Sequence, residues 1–198
     1  MNILFLNASP RLNGYTAGTM KCIKNALDSE HIVQWININN LNVKPCQGCL
    51  QCRPDKSCIL PQDDGHRIAK LIRYADALVI GSPTYFGNVT GPFRTLIDRS
   101  LTALEEISSS GLEMPRPLHI GQRAAIVTAC NSPSPLSELP NQAAGALSAM
   151  QTTLDAGGYD IVGSIIVDAA AGLVGIPQNI ENLAKQIAVA LQASPASL

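Results

Sequence analysis

Short apolar runs alternate with helix-spaced repeats along almost the whole chain. Residues 2–7 (Asn-Ile-Leu-Phe-Leu-Asn) read as a buried strand, and residues 16–27 carry a helical pattern. Residues 31–38 read as a second strand. Residues 63–74 read as a helix with Ile68, Leu71 and Ile72 on one face. A third apolar strand covers 77–81, and Pro92 suits the first turn of a helix running to about residue 104. Strands at 124–129 and 161–167 follow, with a helix ending near residue 156 between them and a last helix at 178–192. The stretch 105–122 reads as surface, and the tail 193–198 as frayed. Strands apolar on both faces, joined by helices, predict a doubly wound α/β sheet with right-handed crossovers.

The 198 residues suit a single domain, 1–198, with no internal repeat. A chain of this size buries a core without needing disulfides or a metal to hold it. Only 15% of residues are charged and 46% are hydrophobic, which excludes disorder and favours self-association. The net charge of −1, without a basic stripe, argues against nucleic acid as a partner. No apolar run reaches membrane-spanning length, and the first residues lack the positive region of a signal peptide. The expected compartment is the cytoplasm. There, six cysteines point to metal or redox chemistry before structural disulfides.

In such a sheet, ligands bind at the carboxyl ends of the strands. The loops expected there are 8–15, 39–62, 82–91 and 129–140. The first, Asn7 to Thr16, joins a strand to a helix N-terminus, where free amides and the helix dipole favour an anion. Ser9 and Thr16 add hydroxyls, Asn13 an amide and Arg11 a charge. It contains neither a Walker lysine nor a G-x-G-x-x-G run. The plainer reading is a loop and helix start capped by Asn13 or Thr16. The third loop, Gly81 to Pro92, places Tyr85 and Phe86 among small residues at a strand end. A planar ring fits along such a loop; alternatively its aromatics pack a turn.

The second loop spaces Cys46, Cys49, Cys52 and Cys58 as C-x2-C-x2-C-x5-C. The first three match the run that wraps a cubane cluster in bacterial ferredoxins. Zinc favours separated C-x2-C knuckles. A redox thiol pair, or cysteines that only pack, also remain open. Asp63 reads as the N-cap of the following helix, with Asp64 in its first turn. Cys22 and Cys130 read as small packing residues; His31, His66 and His119 as surface or packing residues. No nucleophile elbow or catalytic carboxylate pair occurs, and no side chain is assigned as acid or base.

Ser9-Pro-Arg-x-Asn-Gly-x-Thr16, Pro83-Thr-Tyr-Phe-Gly-Asn-Val-Thr-Gly-Pro92 and Leu96-Ile-Asp-Arg99 together resemble the NAD(P)H-dependent FMN reductases. Within them the chain is most similar to the multimeric flavodoxin and iron–sulfur flavoprotein branch, most densely over residues 1–100. The resemblance implies a flavodoxin-like five-stranded parallel sheet of order 2-1-3-4-5 with helices on both faces. It implies that Ser9, Arg11, Asn13 and Thr16 hold the FMN phosphate. Pro83, Thr84, Tyr85, Phe86, Gly87 and Asn88 would hold the isoalloxazine. Tyr15 stands where many relatives have Asn. The loop from Thr128 to Asn131 lacks the relatives' glycine pair and is placed near the flavin without a role.

The implied activity is hydride transfer from NAD(P)H to FMN, then electron transfer to a flavin, a quinone or an electron carrier. One alternative is an iron–sulfur flavoprotein electron carrier with a 4Fe–4S cluster on Cys46, Cys49, Cys52 and Cys58. Another is a flavin-binding regulatory or assembly protein. A homodimer or homotetramer suits all three, with the 105–122 stretch of a neighbour reaching a shared flavin site.

Overall fold

In the computed structural model, residues 1–53, 57–106 and 114–193 are described. The central part of the 105–122 stretch and the tail beyond Ala193 lie outside them. The chain runs β1 (Asn2–Asn7), α1 (Tyr15–Asn25), β2 (Ile32–Asn37), α2 (Asp64–Tyr74), β3 (Ala77–Gly81), α3 (Gly91–Arg99) and α4 (Leu101–Leu104). It continues with a short antiparallel ribbon of β4 (Glu105–Glu106) and β5 (Arg116–Pro117). Then follow β6 (Arg123–Ala129), α5 (Ala143–Gly157), β7 (Asp160–Val167) and α6 (Gln178–Gln192). The main sheet has order β2-β1-β3-β6-β7, all neighbours parallel. Counting its five strands in sequence, this is the expected 2-1-3-4-5 order.

Alternation along each strand splits the core into two layers. Leu4, Leu6, Leu78, Ile80 and Ile126 pack with Ile68 and Ile72 of α2, Phe93 and Leu96 of α3, and Met150 and Leu154 of α5. Ile3, Phe5, Val79 and Val127 face the other way, onto Met20 and Ile23 of α1 and Ala184, Ile187 and Leu191 of α6. Strands covered on both faces explain why β1 and β3 read as unbroken apolar runs. Truncating one such side chain, Leu6→Ala for example, removes about 2–5 kcal/mol.

Two helix boundaries differ from the sequence pattern. The helix expected to run from Pro92 to residue 104 is interrupted at Ser100, whose hydroxyl donates to the Leu96 carbonyl at 2.8 Å. That back-bond competes with the helical ladder. Helix α1 begins at Tyr15 with Gly14 as N-cap, and no side chain caps it, neither Asn13 nor Thr16. The N-cap expected at Asp63 is present, and His66 completes the capping box.

Candidate functional site

The carboxyl ends of β1, β3, β6 and β7 open into a cleft of about 450 Å³. Ser9, Arg11, Asn13, Gly14, Tyr15 and Thr16 line one side. Pro83, Thr84, Tyr85, Ala129, Cys130, Asn131 and Ala170 line the other. Its size is that of a cofactor site, within the usual 300 to 1,000 Å³, roughly.

The first loop is held by its own polar groups. Asn7, at the end of β1, accepts the Ser9 N–H at 3.1 Å, and the Ser9 hydroxyl donates to the Arg11 carbonyl at 3.0 Å. Ser9 is buried, and its hydroxyl holds the shape of the loop where Ser9 lines the cleft. The Thr16 hydroxyl has no hydrogen-bond partner among the described residues, and the first-turn amides of α1 have none within the helix. Gly14 keeps the cradle open: a Cβ there would lie 3.0 Å from Arg11 Cβ and 3.3 Å from its carbonyl oxygen. A second cation arrives from α1, where Lys21 Nζ donates to the Leu12 carbonyl at 2.8 Å and to Asn13 Oδ1 at 3.1 Å. Uncapped amides, a free hydroxyl and two cations fit a phosphate.

The third loop is pinned to β6. The Thr84 N–H donates to the Ala129 carbonyl at 2.9 Å, and the Thr84 and Thr128 hydroxyls meet at 3.1 Å. Tyr85 and Asn88 exchange backbone hydrogen bonds of 2.9 and 3.1 Å, closing a tight turn. Phe86 (φ 50°) and Gly87 (φ 68°) both sit left-handed at its tip. Such a φ is costly for a phenylalanine and marks a position held by its surroundings. Pro83, Thr84 and Tyr85 line the cleft; Phe86, Gly87 and Asn88 do not, and Phe86 projects fully into solvent.

Two features of the cleft, Tyr15 and Ala170, are not marked in the sequence by a motif, whereas Cys130 lies on the loop expected near the flavin. Tyr15 donates its hydroxyl to the Leu173 carbonyl, tying the cradle to the loop after β7. Ala170, on that loop, lines the cleft beyond the left-handed Ala169; a fifth strand end at the ligand-binding edge was the signal for it. Cys130, also in the lining, is pushed up in pKa by burial, so its thiol stays protonated at neutral pH.

Cys46, Cys49, Cys52 and Cys58 all line a separate small cavity of about 70 Å³, with Leu50, Ile59, Leu60 and Leu101. All are free thiols. Gly48 and Leu50 take left-handed φ values of 64° and 59°, which bends the loop around the cavity. Burial raises the Cys52 pKa, and the facing Cys58 and Cys46 add to it. Among the described residues, no three His, Cys, Asp or Glu side chains are drawn together as a metal site. The four thiols match the donors of a thiolate-bound iron centre in kind and number.

A buried ion pair anchors this loop at both stems. Arg99, at the end of α3, donates to both carboxylate oxygens of Asp63, at 2.8 and 3.0 Å, and to the Lys44 carbonyl at 2.6 Å. The Lys44 N–H donates to Asp63 at 3.0 Å. Burial alone would raise the Asp63 pKa, but Arg99, with the Lys44 amide, holds it well below the usual carboxylate range. His66 is more than a packing residue. Its Nε2 donates to the Cys58 carbonyl at 3.0 Å, and its Nδ1 accepts the Asp63 N–H at 3.2 Å. His119 is buried, bonded to the Ala103 carbonyl and Gln122, and stacked on Tyr159 at 4.5 Å.

Residues 1–158 match the model of the NADPH-dependent FMN reductases. The chain belongs to that family. Among curated relatives, an iron–sulfur flavoprotein of Methanocaldococcus jannaschii is 34% identical over 101 residues, 50% of this chain and 52% of that protein. Another, from Archaeoglobus fulgidus, is 36% identical over 104 residues, 52% of this chain and 50% of that protein. The match thus spans about half the length of these relatives. An FMN-dependent NADH-azoreductase from Bacillus anthracis, solved with FMN, superposes with a TM-score of 0.73 at 13% identity, covering 98% of this chain and 100% of that one. At that identity the likeness establishes the flavodoxin-like fold. Among the described residues, no helix is long and apolar enough to cross a membrane.

Proposed function

We propose that this chain is an FMN-dependent oxidoreductase that takes hydride from NAD(P)H and passes electrons to a flavin, a quinone or an electron carrier. The observation that carries this reading is the cleft itself. Its uncapped helix N-terminus, with the free Thr16 hydroxyl and Arg11, faces the pinned Pro83–Tyr85 segment across a space of cofactor size.

In this reading Arg11 and Thr16 bind the FMN phosphate, with the α1 amides, while Ser9, Asn13 and Lys21 shape and charge the loop. Pro83, Thr84 and Tyr85 orient the flavin ring, and Ala129, Cys130, Asn131 and Ala170 close the opposite wall. FMN, when bound, supplies a two-electron acceptor for hydride. The protein supplies orientation and exclusion of water; no side chain in the cleft is needed as an acid or base. The apolar side chains exposed on the surrounding loops, Leu12, Tyr85, Phe86, Leu139 and Val174 among them, support a homodimer or homotetramer covering the mouth. Titrating the chain with FMN tests the cleft directly. Saturable binding that weakens in Arg11→Ala and Thr16→Val supports the assignment, and affinity unchanged in both variants removes it.

A second reading, an iron–sulfur flavoprotein electron carrier, is favoured by the four cysteines lining one cavity and by the names of the curated relatives. Iron and acid-labile sulfide in chain purified without oxygen separate it from a plain FMN reductase. About four of each per chain is the amount expected for one cubane cluster.

A further inference from the structure

Arg99 is 1% exposed, and its two terminal nitrogens are committed to Asp63 and to the Lys44 carbonyl. Its Nε is buried and has no hydrogen-bond partner among the described residues. Arg99 and Cys58 both line the wall of the cysteine cavity. A buried N–H without an acceptor is a defect unless something meets it. A neutral thiol is a poor acceptor, whereas a thiolate bound to iron is a strong one.

We infer that Arg99 is the positioning residue of the cysteine loop: Asp63 and the Lys44 carbonyl aim its guanidinium at Cys58, whose sulfur accepts the free N–H once it ligates iron. The inference rests on the iron–sulfur reading above and extends it to a residue outside the cysteine motif. The two stems of the loop are fixed by the same group of side chains. Lys44 is held through both its carbonyl and its amide, and Cys58 through its carbonyl by His66. A donor and a positive charge beside a ligand sulfur stabilise the reduced, more negative cluster, so Arg99 raises its reduction potential.

The test uses the full chain purified without oxygen, with FMN, iron and sulfide measured on each sample. The cluster's midpoint potential is read by dye-mediated titration, and iron retention by the rate of loss to a chelator. In the Arg99→Gln, Asp63→Asn double variant the pair stays hydrogen-bonded and no buried charge is stranded. The expected result is unchanged FMN occupancy, iron lost about tenfold faster, and a more negative potential. Arg99→Lys keeps the charge but not the fork, and should retain iron better than the double variant while shifting the potential in the same direction. Should the double variant fail to take up FMN, Arg99→Lys decides alone. Native retention and native potential in the variants that load FMN would overturn the proposal. A native chain that loads FMN but holds no iron would instead remove the cluster reading beneath it.

Discussion

Gly87 and Gly145 meet backbone to backbone. A methyl group added to Gly145 would lie 2.0 Å from the Gly87 carbonyl oxygen and 2.3 Å from that of Pro140. The turn that carries Tyr85 into the cleft is thus seated on the first turn of α5. Gly145→Ala cannot be accommodated without displacing that turn. The expected cost is about 1–3 kcal/mol of stability, with weaker FMN binding. Thermal unfolding and flavin titration of the variant check both.

Thr16 offers its hydroxyl without a competing partner among the described residues. Thr16→Val keeps the buried volume and removes the donor. A hydrogen bond to a charged group contributes about 1.5–3 kcal/mol, so FMN affinity should fall by about tenfold or more. The melting temperature of the flavin-free chain should stay close to native, apart from the small effect of the side-chain exchange. Fluorescence titration with FMN measures the first and calorimetry the second.

The Asp63–Arg99 pair makes stability acid-sensitive. The carboxyl group's pKa is depressed in the folded chain, so its contribution is fully present above the unfolded value, near 4, and is lost as pH falls toward the folded value. Asp63→Asn, which strands the Arg99 charge, should cost about 3–5 kcal/mol at neutral pH. It should also lose less further stability between about pH 5 and pH 3 than the native chain does. Urea unfolding across that range tests both; parallel curves would contradict the assignment.

Tyr159 buries its hydroxyl with no partner among the described residues, and burial alone holds its pKa well above the usual phenol range. Tyr159→Phe keeps the stack on His119 and removes the unsatisfied group. It should be neutral or stabilise the fold by about 1 kcal/mol. A clear fall in melting temperature would contradict this.

The strands were legible because double-sided burial writes itself as short apolar runs, whereas their order followed only from the family resemblance. The first loop and the cysteine loop stood out because polar residues and cysteines recur there at close spacing. What the sequence hid was long-range. Arg99 meets Asp63 across 36 residues, and no local pattern marks the pair. His66 reads as an ordinary helical residue until the fold brings the Cys58 carbonyl to it. Ser100 breaks a helix without glycine or proline, through its own hydroxyl. Phe86 belongs to the aromatic pair that drew attention to the third loop, yet it faces solvent while Tyr85 lines the cleft, because the turn between Tyr85 and Asn88 reverses at that residue.

The proposed flavin site should exchange hydride with a nicotinamide donor. The most direct measurement adds NADH or NADPH to the FMN-loaded chain without oxygen and follows the visible flavin absorbance. The account predicts saturable FMN binding and loss of that absorbance with at least one of the two donors. A chain that binds no FMN, or a bound flavin left oxidised by both, would contradict it.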